Sequence, residues 1–253
     1  MNQVILLGAS NVSINFPLIV NLLRSGFDGP VHVCAAEGHG RSYGIWSNIG
    51  PRALPSIKGS ALWDNLSADP ANPNRKALIT DIGNDLMYKV EPKHIARWVE
   101  ECIQRLLSAN AEILMTMLPM GSVEKLSASR YYFFRTAMFP ANRFSFTDIN
   151  QLINELNEEV TNLATKYNIT PLVPDGDWYG IDPIHIRRGS RLAAWSHYFS
   201  HWADWQVPTA GPRRILSSFR SGRLRQQDRR WFGREQTTQQ PVWQAENLQV
   251  SLL

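Results

Sequence analysis

Cysteine is nearly absent. Two residues, Cys34 and Cys102, are too few for a disulfide framework, and both stand inside apolar stretches, where they read as buried free thiols. Charge is modest, with 19% Asp, Glu, Lys and Arg against 43% hydrophobic residues, which excludes a disordered chain and allows a sizeable core. The first apolar stretch, Val4–Leu7, has no basic leader and stops at Gly8. Neither a signal peptide nor a membrane span is read there, and a cytoplasmic location is expected. Internal repeats are lacking. So is a dinucleotide fingerprint: Gly8-Ala9-Ser10 does not extend to Gly-x-Gly-x-x-Gly, and Gly38-x-Gly40 lacks the further spaced glycine. His197 and His201 stand four apart, but no Glu follows His197, so no metal site is expected there.

What is present is an alternation of elements. Val4–Leu7, Val31–Ala36, Ala77–Ile82, Glu112–Leu118 and Thr170–Val173 are apolar nearly throughout, as parallel strands covered on both faces are. Helical stretches are read at about Pro17–Ser25, Pro92–Asn110, Asp148–Tyr167 and Ser190–Trp205, with Asp148 as an N-cap. The pattern predicts a three-layer α/β/α, flavodoxin-like sheet of about five parallel strands. Residues 44–75 are expected to form an irregular covering loop with a short helix. Arg130-Tyr131-Tyr132-Phe133-Phe134-Arg135 is an aromatic cluster suited either to wall a pocket or to pack a long loop.

The charge is uneven. Residues 213–253 hold 8 of the 26 Lys and Arg but only 3 of the 22 acidic residues. The chain is therefore divided into an α/β domain over 1–210 and a basic, Gln-rich tail over 211–253, expected to be flexible. Arginines interleaved with Phe219, Trp231 and Phe232 over 213–234 offer contact with nucleic acid or an anionic membrane, but solvated disorder is the preferred reading.

Four short segments carry chemistry, three of them directly after an apolar strand. They are Gly8-Ala9-Ser10-Asn11, the glycines at 38 and 40, Gly83-Asn84-Asp85, and Asp182-Pro183-Ile184-His185. A serine hydroxyl needs a base within reach and a third group to orient that base. Ser10, His185 and Asp182 offer those roles, Asp182 lying three residues before His185. A strand-to-helix turn at Ser10 also points N–H groups and the positive helix end at the site. A glycine N–H, at Gly38 or Gly40, and the Asn84 side-chain amide supply further donors, while Asp85 is read as bracing a loop by accepting backbone N–H bonds.

Over roughly residues 1–205 this order of segments resembles the SGNH subgroup of the GDSL-type ester hydrolases. The resemblance implies an SGNH-hydrolase-like fold and a serine esterase, acetylesterase or lipase-like activity. Ser10, Asp182 and His185 match its catalytic residues; Ser10, Gly40 and Asn84 match its oxyanion donors, the run Gly40-Arg41-Ser42 favouring Gly40 over Gly38. No cofactor and no metal are implied. Small-molecule, carbohydrate or lipid esters are the expected substrates, with short acyl chains preferred because no long apolar lid is evident. Two departures stand out. The first segment reads Gly-Ala-Ser where the family commonly has Gly-Asp-Ser, and Ile186-Arg187-Arg188 follows the histidine where it commonly has proline. The two arginines are expected to favour anionic substrates, and the departures motivate an alternative, a catalytically silent binding module on the same fold.

Overall fold

A computed structural model describes residues 1–67, 72, 74–120, 127–129, 131–132, 136, 144–180, 182–208 and 224–253. Its centre is a seven-stranded sheet built from β1 (Asn2–Leu7), β2 (Val31–Ala36), β5 (Arg75–Ile79), β6 (Ala111–Thr116), β7 (Pro171–Leu172), β10 (Trp243–Ala245) and β11 (Leu248–Leu252). The strand order is β10-β11-β2-β1-β5-β6-β7, parallel except at the β10 edge. The helices are α1 (Ser10–Gly26), α2 (Leu62–Ser67), α3 (Pro92–Ser108), α4 (Phe146–Lys166) and α5 (Arg191–Phe199).

Side-chain alternation along the strands divides the core in two. Val4 and Leu6 face one cluster with Val12, Phe16 and Ile19 of α1 and Trp195 and Phe199 of α5. Ile5 and Leu7 face the other, with Ile95, Val99 and Ile103 of α3 and Leu156 and Val160 of α4. Strands buried on both faces must be apolar throughout, which is why they were legible. The α4 N-cap is Ser145 rather than Asp148. Asp148 sits at the third helical position and closes a capping box, donating its N–H to Ser145 Oγ and accepting from Ser145 N.

The division at residue 210 does not hold. β11 pairs in parallel with β2, from Leu248 opposite Val31 to Leu252 opposite Ala35. The period-two pattern Leu248-x-Val250-x-Leu252 seats those three side chains in the core beside α1, and Gln249 and Ser251 between them disguise the strand as part of a polar tail. Residues 213–223 of the basic stretch lie outside the described residues. The 44–75 connection is also more regular than expected: β3 (Ser47–Ile49) and β4 (Arg52–Leu54) form a hairpin that joins β8 (Asp228–Trp231) and β9 (Arg234–Thr237) in a second, four-stranded sheet.

Deleting 248–253 removes Leu248, Val250, Leu252 and Leu253, each at most 2% exposed. At about 1.5–3 kcal/mol per buried side chain, the loss rivals the ~5–15 kcal/mol that holds a whole domain folded. The shortened chain is expected to lack a cooperative thermal transition by circular dichroism; a melt within a few degrees of the full chain would contradict this placement.

Candidate active site

β2, β1 and β5 lie side by side, so the loops after their carboxyl ends converge where the chain reverses its winding, the usual ligand position in such sheets. Ser10 follows β1, Gly40 follows β2 and Asn84 follows β5; all three line one cavity, together with His185.

Helix α1 starts at Ser10, earlier than the start near Pro17 read from sequence, and Pro17 lies inside it. Proline marks a first turn only where nothing upstream is helical; here the earlier turn is secured from outside. Ala9, at the N-cap, has no capping side chain, and Asp81 Oδ2 accepts the N–H groups of Ala9 at 2.8 Å and Asn11 at 3.0 Å. The Ser10 N–H belongs to that first turn and has no intrahelical acceptor.

His185 Nε2 lies 2.8 Å from Ser10 Oγ, and His185 Nδ1 lies 2.6 Å from Asp182 Oδ2. The other oxygen of Asp182 accepts the N–H groups of Ile184 at 2.8 Å and His185 at 3.2 Å, so one carboxylate holds both the loop and the ring. Burial alone would raise the Asp182 pKa, but these bonds outweigh it and hold the carboxyl below its usual range. Burial would lower the His185 pKa; the bond and charge of Asp182, with the charge of Asp81, outweigh it and raise the imidazole above 6.5.

Two residues at the site were not singled out from sequence. Asn11 donates through Nδ2 to Asp81 Oδ1 at 2.8 Å and to Ile184 O at 3.0 Å, and its Oδ1 accepts from Ile186 N at 3.0 Å. Asp81, with φ of 58°, thus ties the serine turn directly, and the histidine loop through Asn11, to the end of β5. The signal in the sequence was a carboxylate two residues before Gly83-Asn84. Asp81→Ala strands three N–H donors and is expected to cost about 1–3 kcal/mol of stability, read by urea unfolding; an unchanged midpoint would contradict the clamp.

Of the two candidate glycines, Gly40 lines the cavity and Gly38 does not. Gly40 has φ of +64°, and a Cβ there would meet Ile49 Cδ1 at 2.8 Å and Tyr88 Oη at 2.9 Å, so the position requires glycine. Its carbonyl accepts from Tyr88 Oη at 2.6 Å. Asn84 Nδ2 donates to Arg41 O at 3.1 Å, which fixes the amide beside Gly40. Asp85 is fully buried; it accepts from Ser42 Oγ and, at 2.9 Å, from Tyr43 N, bracing the loop after β2 rather than its own. Burial pushes its carboxyl up to about 6.

The cavity measures about 410 Å³, within the roughly 300–1,000 Å³ typical of small-molecule sites. Ile82, Met117, Leu118, Ile149, Ile153 and Tyr131 supply much of an apolar wall. Tyr131 of the aromatic cluster walls the pocket, while Arg130, Phe133, Phe134 and Arg135 lie outside the described residues. Arg187 and Arg188 do not line the cavity: the chain pairs Ile186 with Tyr179, burying Ile186 and leaving both arginines exposed. The expected preference for anions therefore loses its basis. Both cysteines are buried and free, their thiols pushed up to about 12 by burial. His197 and His201 pack edge to face at 4.9 Å, and among the described residues no group of three or more His, Cys, Asp or Glu could hold a metal ion. Nor is any helix among them long and apolar enough to cross a membrane.

No protein-family model matches the chain, and no curated protein matches its sequence. Solved structures do match in fold. A Streptococcus pneumonia protein named for platelet activating factor is 17% identical, with a TM-score of 0.51 over 79% of this chain and 83% of that one. A member of the lipolytic G-D-S-L family from Veillonella parvula is 10% identical, with a TM-score of 0.46 over 80% and 99%. The acetyl xylan esterase AlAXEase is 11% identical, with a TM-score of 0.47 over 79% and 99%. The chain thus has a three-layer α/β/α fold, shared with the Streptococcus pneumonia protein.

Proposed function

We propose that the protein is a serine ester hydrolase acting through Ser10, His185 and Asp182. The observation that carries this reading is the unbroken line from Asp182 Oδ2 to His185 Nδ1 at 2.6 Å and from His185 Nε2 to Ser10 Oγ at 2.8 Å, opening on an apolar cavity. Ser10 Oγ attacks the ester carbonyl carbon while its proton passes to His185 Nε2. The resulting oxyanion accepts hydrogen bonds from the N–H groups of Ser10 and Gly40 and from Asn84 Nδ2. The imidazolium, held in orientation by Asp182, then protonates the departing alcohol. Water deprotonated by the same nitrogen attacks the acyl-serine, the carboxylic acid leaves, and Ser10 regains its proton. No metal or cofactor enters these steps.

The apolar wall suits an uncharged acyl or alcohol group of several carbons, in a small-molecule, carbohydrate or lipid ester. Turnover of p-nitrophenyl esters of increasing acyl length tests this. Each added methylene is worth ~0.8 kcal/mol on burial, so kcat/KM is expected to climb about fourfold per methylene from acetate until the cavity is filled. Acetate turned over faster than hexanoate would overturn the assignment of the cavity. Turnover surviving in Ser10→Ala would overturn the chemistry.

A further inference from the structure

The second sheet ends in two tight turns set side by side, Gly50-Pro51 between β3 and β4 and Phe232-Gly233 between β8 and β9. Phe232 N donates to Pro51 O at 2.8 Å, which holds the tips together. Cross-strand pairs Ile49 with Arg52, Arg52 with Trp231 and Trp231 with Arg234 bring these four residues to one end of the sheet. That end is apolar and open: Phe232 is 76% exposed, Ile49 40% and Trp231 39%.

Phe232 is the odd residue. Both centres of its turn have positive φ, 49° at Phe232 and 75° at Gly233, and a turn of that kind favours Asn-Gly or Asp-Gly. A bulky aromatic gains nothing locally from a left-handed conformation with its ring in water. Arginines stand on the strands beside it, Arg230 paired with Glu235 at 2.9 Å. Arg230 lies over the Trp46 ring at 4.2 Å and Arg229 over Trp231 at 5.4 Å, and Arg234 is exposed beside the tip. The end also adjoins the candidate active site, because Ile49 lines the cavity that holds Ser10 and His185.

We propose that the paired tips are an interfacial anchor for an anionic phospholipid surface. Phe232, Trp231 and Ile49 enter the headgroup region, Arg234 meets lipid phosphates, and the cavity mouth is seated against the bilayer. Exposed Phe232, Trp231 and Ile49 at one end of the sheet, with Arg234 exposed beside them, suit a lipid boundary. The anchor stands whether or not the protein hydrolyses esters.

Cosedimentation of the full chain with phosphatidylcholine vesicles, with and without phosphatidylglycerol, tests it. Binding is expected only with the anionic lipid, weakening as salt rises. Phe232→Asn is expected to lower binding about tenfold while leaving the melting temperature and the turnover of a soluble ester unchanged, since Asn fits the turn. Arg234→Gln is expected to lower binding about fivefold, from ~1 kcal/mol per basic residue at the surface. No binding to anionic vesicles, equal binding by Phe232→Asn, or tighter binding to an oligonucleotide than to vesicles would each overturn the anchor. Hydrolysis lost in Ser10→Ala with vesicle binding intact separates this claim from the reading of the active site.

Discussion

Ester turnover should fall by about 10⁶-fold in Ser10→Ala and by a similar factor in His185→Ala, with the double variant scarcely worse than either. In the proposed mechanism the two side chains act as a unit, so removing one leaves the other without a task. What persists in each variant is binding and whatever the oxyanion donors contribute, since Gly40 and Asn84 are held by Tyr88 and by Arg41 O rather than by the serine or histidine. The fold should be unaffected: Ser10 is only partly buried and gives the helix no cap, that role falling to Asp81. A matched melting temperature together with the lost rate is the expected pairing. Loss of both would instead assign Ser10 a structural role.

Asp182→Asn should cost about 10⁴-fold, the effect of presenting the wrong tautomer to the nucleophile. The pH profile gives a second readout. As base, His185 must be neutral, so kcat/KM in the parent protein rises with pH as the imidazole loses its proton, with a midpoint above 6.5. Asparagine at 182 keeps the burial, which lowers that pKa, and removes the carboxylate that raises it most. The midpoint should therefore move down while the plateau falls. A lower plateau with an unmoved midpoint would mean that the titrating group is not His185.

The central strands and the four motif segments were legible because their constraints are local. Parallel strands buried on both faces are apolar nearly throughout, and three of the four motifs sit where such a strand stops. Gly40 requires positive φ, and Asp182 reaches His185 across a short loop. What escaped was fixed by distant contacts. The start of α1 depends on Asp81, which is far along the chain from Ala9 and Asn11. Strand β11 depends on finding β2 and carries only three core side chains in a glutamine-rich setting. The second sheet joins hairpins from opposite ends of the chain, so neither hairpin alone announces it. Likewise, Arg187 and Arg188 follow the candidate base in sequence, but the bridge of Ile186 to Tyr179 turns them outward.

Covalent capture tests the centre of the account most directly. The protein treated with a fluorophosphonate should gain the mass of one adduct, and peptide mapping should place it on Ser10. Labelling should be absent in Ser10→Ala and strongly slowed in His185→Ala. A folded protein that takes up no probe, or an adduct on any other residue, would contradict the assignment of Ser10 as nucleophile and with it the proposed hydrolysis.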